Sequence, residues 1–105
     1  MIGGYSNGGV WAATMAARFP QLFGNVLVMS AGAASAASSA GKLGASRVFA
    51  GAGIYETDFR KTTIAVVNAA KAAGAETRFR EVVSGHAMPT WDLIFADAYP
   101  WFFPR

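Results

Sequence analysis

The sequence predicts an α/β fold in which about three parallel strands are flanked by helices. Short continuous apolar runs alternate along the chain with longer stretches of helical periodicity. Two of the runs, Asn25 to Ser30 (NVLVMS) and Arg47 to Gly51 (RVFAG), have the length and content of strands buried on both faces. A pentapeptide of the form G-x-S-x-G, Gly4-Tyr5-Ser6-Asn7-Gly8, marks a tight strand-to-helix turn near the start. Strands alternating with helices imply parallel pairing through right-handed crossovers, as in one half of a doubly wound sheet.

The elements follow in order. After the pentapeptide, residues 8–18 (GGVWAATMAAR) read as an alanine-rich helix that Phe19-Pro20 stops, because proline disfavours helical geometry at the residue before it. The first strand, Asn25 to Ser30, comes next. Residues 31–46 are almost all Ala, Ser and Gly, with too little bulk to pack, and predict a flexible loop. Arg47 to Gly51 is the second strand. A helix is expected over 59–73 with Ile64, Val67, Ala70 and Ala73 as its buried face and Gly74 as its C′ residue. Glu76 to Val83 (ETRFREVV) is a third strand, more polar and so nearer an edge. Pro89 opens a last helix with Trp91, Ile94, Phe95 and Ala98 on its inner side, and Pro100 is expected to end it.

At 105 residues the chain is expected to be one domain over residues 1–105, with a modest core. A content of 53% hydrophobic and 14% charged residues is that of a folded chain. The absence of cysteine excludes disulfides and thiolate metal sites. The net charge of +3 comes from scattered Lys and Arg, whereas nucleic-acid binding needs a clustered basic face. No apolar run is long enough for a transmembrane helix, and no signal peptide is expected at the N-terminus.

Chemistry is concentrated in a few positions. G-x-S-x-G is the pattern of a nucleophile elbow, where a serine is held at unfavourable backbone angles with its hydroxyl clear of the chain. Glycines at 4 and 8 would relieve the collisions of such a turn, and Gly9 would give room for the helix to pack. The Asn7 amide then lies at a helix N-terminus, where an oxyanion would form. The one histidine, His86, falls in the loop after the last strand, and Glu56 and Asp58 lie just past the second. Each polar group thus occurs beyond the C-terminal end of a strand, where ligands bind in open α/β sheets. The chain order serine, acid, histidine is that of the α/β-hydrolases. Asp58, just before a helix, has a ready task as an N-cap; Glu56 has none and is favoured as the acid, with Asp58 the alternative. Trp91, Trp101, Phe102 and Phe103 are candidates for a substrate cleft, for the core or for an exposed patch.

These residues resemble the enterochelin-esterase and esterase D-like family of α/β-hydrolases, which includes feruloyl esterases. The matching stretches are Gly3-Gly4-Tyr5-Ser6-Asn7-Gly8-Gly9, Ala17-Arg18-Phe19-Pro20-Gln21-Leu22-Phe23-Gly24, Ala52-Gly53-Ile54-Tyr55-Glu56, and Ser84-Gly85-His86 followed by Trp91. The resemblance spans nearly the whole chain and implies the C-terminal portion of an α/β-hydrolase fold, the family's N-terminal strands being missing. It implies Ser6 as nucleophile, Glu56 as acid, His86 as base and no metal or organic cofactor. The family's N-terminal half also supplies a second oxyanion amide, and its members carry bulkier residues where this chain has 31–46.

Three functional classes stand open on the sequence. One is a serine carboxylic-ester hydrolase working through an acyl-enzyme on a small-molecule ester. Another is a truncated esterase fragment without activity. The third is a non-enzymatic interaction module presenting its Trp/Phe-rich C-terminus. No nucleic-acid or membrane partner is expected, whereas self-association through an open sheet edge is.

Overall fold

The computed structural model describes residues 1–105 as four parallel strands and four helices. In chain order these are β1 (Ile2–Tyr5), α1 (Asn7–Arg18), β2 (Asn25–Met29), α2 (Ser35–Ala40), β3 (Arg47–Gly53), α3 (Thr57–Ala72), β4 (Glu76–Val82) and α4 (Met88–Phe102). The sheet order is β1-β2-β3-β4, so α1, α2 and α3 each carry the chain back to start the neighbouring strand. This is the α/β architecture expected, with one strand more. Residues 2–5 have little strand propensity of their own, and it is parallel pairing with Val26 to Met29 that makes them β1.

Alternation along the buried strands divides two cores. Val26, Val28 and Val48 point to the face covered by α1, α2 and α3. Leu27, Met29 and Phe49 point to the other face, where Trp91, Ile94, Ala98 and Phe102 of α4 cover them. As the polar content of β4 implied, that strand forms one edge; β1 forms the other.

Several local expectations are corrected. The segment 31–46 is not simply a loop: it contains α2, and Ala36, Ala40 and Leu43 are buried between α1 and α3. Small side chains there allow close helix approach, so low bulk produces packing. The inner face of α3 is Thr63, Val66, Val67 and Ala70, which leaves Ala73 exposed and Ile64 only partly buried. Phe95 of α4 likewise points outward, at 44% exposure. Pro100 lies inside α4 rather than ending it. The last turn survives because Phe102 is buried and its carbonyl accepts from Arg47 Nη1 at 3.3 Å. The Arg47 guanidinium also lies 4.1 Å from the Trp101 ring centroid and pairs with Glu76. Gly74, at φ 106°, closes α3 as expected.

Candidate functional site

All four strands end on the same side of the sheet, and each is followed by one polar residue of the site. Ser6 follows β1, Ser30 follows β2, Glu56 lies in the loop after β3, and His86 lies in the loop after β4.

Ser6 is the N-cap of α1, with φ 55° and ψ −125°, a left-handed conformation that side-chain-bearing residues rarely adopt. The turn is held by the Ser6 amide donating to the Met29 carbonyl at 2.9 Å and by the Gly9 amide donating back to the Ser6 carbonyl at 3.0 Å. A Cβ on Gly4 would lie 2.4 Å from the Gly8 carbonyl oxygen, and one on Gly9 would lie 3.0 Å from the Met29 oxygen. A Cβ on Gly8 would meet nothing within 4 Å, so the glycines the turn needs are 4 and 9 rather than 4 and 8. Gly4, Tyr5, Ser6, Asn7 and Gly8 line an open depression beside the Ser6 hydroxyl. The Asn7 amide opens α1, where first-turn N–H groups have no intrahelical acceptor.

Glu56 reaches the site from a loop stitched to the end of β4. The Ile54 amide donates to Val82 and the Tyr55 amide to Ser84. A side chain at Gly53 is excluded, because its Cβ would sit 2.1 Å from the Ser84 oxygen. The Glu56 side chain is wholly buried, and a buried carboxylate is tolerated only when its oxygens are well bonded. Oε2 accepts from the Gly53 amide at 2.6 Å and from the Ser30 hydroxyl at 2.7 Å, while Oε1 faces His86 Nδ1 at 2.5 Å. Asp58 is exposed in the first turn of α3, away from this network, where its charge complements the helix dipole. It is not the N-cap: that position belongs to Glu56, whose side chain makes no capping bond.

The imidazole of His86 lies with Nε2 3.1 Å from Ser6 Oγ. Its plane stacks on Phe59 at 4.0 Å between centroids and meets Trp91 edge-on at 4.9 Å. Thr90, in the first turn of α4, donates to the Gly85 carbonyl and ties the histidine loop down. Trp91 stacks on Tyr5 at 3.9 Å and donates from Nε1 to Ser30 Oγ at 2.9 Å. Trp91 and Phe102 are buried, Trp101 is half-buried and Phe103 is exposed. Of the four, only Trp91 touches the site.

Ser6, Glu56 and His86 are therefore brought together, with Asn7 beside them. Sequence reasoning passed over Ser30, Phe59 and Tyr5. A signal for Ser30 existed, since it is a hydroxyl closing a buried parallel strand; Phe59 and Tyr5 carry none. No cluster of three or more His, Cys, Asp or Glu side chains is placed to hold a metal ion.

No protein-family model matches the chain, and no curated protein sequence does. Solved structures do. A ferulic acid esterase superposes with a TM-score of 0.77 at 19% identity, covering 94% of this chain and 48% of that one. Enterochelin esterase from Shigella flexneri superposes with a TM-score of 0.75 at 23% identity, covering 96% of this chain and 31% of that one. The enterobactin esterase of the same organism, solved in the presence of 2,3-dihydroxy-N-benzoyl-glycine, gives 0.74 at 23% identity, with 97% and 32% covered. The chain thus spans 31% to 48% of the length of these structures. Its four-stranded parallel sheet with flanking helices is part of the α/β-hydrolase fold that these esterases share.

Proposed function

We propose that the chain carries the acyl-transfer centre of a serine carboxylic-ester hydrolase, with Ser6 as nucleophile, His86 as base and Glu56 as acid. The observation that carries this reading is the continuous chain of contacts from Ser6 Oγ to His86 Nε2 at 3.1 Å and from His86 Nδ1 to Glu56 Oε1 at 2.5 Å. Both lie within hydrogen-bond reach, and the order nucleophile, base, orienting carboxylate is the one such chemistry requires.

In this mechanism His86 Nε2 takes the proton of Ser6 Oγ as the oxygen attacks the ester carbonyl carbon. The tetrahedral oxyanion meets the Asn7 amide. Collapse breaks the bond to the alcohol oxygen, which leaves with the proton from the imidazolium. Water, activated by the same ring, releases the acid and restores Ser6. Glu56 keeps its charge and orients the ring. No metal or organic cofactor enters any step.

A fluorophosphonate probe tests this assignment. The folded chain is expected to be labelled, and Ser6→Ala to lose all labelling. A folded, unlabelled native chain overturns the esterase reading for these residues alone. It would favour the second reading, a fragment without activity. Nucleophile elbows pair the following amide with a second donor from elsewhere in the fold, and one such donor is worth about 10²–10³ in rate. The substrate proposed is a small-molecule ester. Self-association through the free edge of β1 is proposed alongside it, because an unpaired strand presents backbone groups to a second copy.

A further inference from the structure

Ser30 is wholly buried and stands at φ 50° just past the end of β2. Its hydroxyl touches two groups, Trp91 Nε1 at 2.9 Å and Glu56 Oε2 at 2.7 Å. An indole nitrogen only donates, and an ionised carboxylate only accepts. The hydroxyl proton therefore has one direction available: Trp91 donates to Ser30, and Ser30 donates to Glu56. Oε2 is further held by the Gly53 amide, which leaves Oε1 to the imidazole. Because Oε1 only accepts, Nδ1 must carry the proton, and Nε2 must turn its lone pair to Ser6. The donors converge on the carboxylate, Ser30 and the Gly53 amide on Oε2 and the ring on Oε1, and the two aligned bonds from Trp91 through Ser30 polarise one another.

From this we propose that Ser30 and Trp91 are positioning residues, which lock the Glu56 carboxylate so that His86 is held in its Nδ1–H tautomer. Trp91 holds the ring a second way, by its edge contact, and Tyr5 stacked on the indole fixes it. Strand β2, silent in the reaction itself, contributes through this relay. The effect on rate rests on the hydrolase reading; the tautomer does not.

His86 is the chain's one histidine, so long-range ¹H–¹⁵N spectra of the ¹⁵N-labelled full chain report its tautomer directly. The native chain should show the Nδ1–H form alone. Ser30→Gly removes the hydroxyl while suiting a positive φ, and Trp91→Phe keeps an aromatic ring while removing the N–H. Each variant, shown folded by circular dichroism, should populate both tautomers, with the Nδ1–H to Nε2–H ratio falling about tenfold in Ser30→Gly. The double variant should be no worse than Ser30→Gly alone, the mark of a single relay. Retention of the native pattern in both folded variants overturns the assignment, as does strict additivity between them. A native chain with a locked tautomer and no fluorophosphonate labelling overturns the hydrolase reading and supports the lock. Where labelling occurs, its rate should fall about 10–100-fold in Ser30→Gly, as for outer-shell partners of other sites.

Discussion

Glu56 and Asp58 are two residues apart and do unrelated things. Glu56 is sealed beneath His86 by three donors, whereas Asp58 lies in water at the start of α3. Glu56→Gln would put an amide where Oε1 and Oε2 must both accept, and the expected loss of fluorophosphonate labelling rate is about 10²–10⁴-fold. Asp58→Asn should leave that rate within about threefold and lower stability by about 0.3–1 kcal/mol through the helix dipole. Labelling kinetics and thermal melts on the two variants check both statements. The sequence favoured Glu56 because it follows the strand end closely while Asp58 had a helix start to occupy, and the structure puts Glu56, not Asp58, against His86. The partners of Glu56 were not, since Ser30 and Trp91 stand 26 residues before it and 35 after it, and only the sheet brings them together.

At the scale of elements, the turn between β1 and α1 separates glycines by task. Gly4→Ala and Gly9→Ala each drive a methyl into backbone and should destabilise the chain, with Gly4→Ala, at 2.4 Å, the worse. Gly8→Ala meets open space within a helix and should stabilise it by about 0.5–1 kcal/mol. Denaturant unfolding of the three variants tests that order. Helix α2 makes the complementary case. Ala36→Leu should cost about 1–3 kcal/mol by overpacking the seam with α1 and α3, while Ser38→Ala, on the exposed side, should be neutral within ~0.5 kcal/mol. Strands β2 and β3 could be read from apolar runs because burial on both faces leaves a local mark. Strand β1 and helix α2 could not, because four residues with two glycines and a run of Ala and Ser acquire structure only from neighbours. The end of α4 escaped for the same reason: its stabiliser, Arg47, lies on β3.

For the molecule as a whole, the two sheet edges differ. Edge β4 exposes charged side chains, and Arg60 pairs with Glu81 and Arg80 with Asp97 around it. Edge β1 carries no charge, and its surroundings include exposed Tyr5 and Trp11, at 42% and 58%. Charged edges discourage strand addition and uncharged ones permit it. The association proposed through β1 of this 105-residue chain would be visible in solution scattering as a mass that rises with concentration. A monodisperse monomer across that range contradicts it.

Ser6 and His86 are 80 residues apart in sequence, and the chain between them runs through β2, β3 and β4. Contacts of such separation form late, because the loop they close carries the largest entropy. During synthesis Ser6 emerges 80 residues ahead of His86. Until β4 has paired with β3, the hydroxyl has no imidazole beside it. Under the proposed chemistry reactivity is thus a timestamp: it switches on only when the crossover from β3 to β4 has closed.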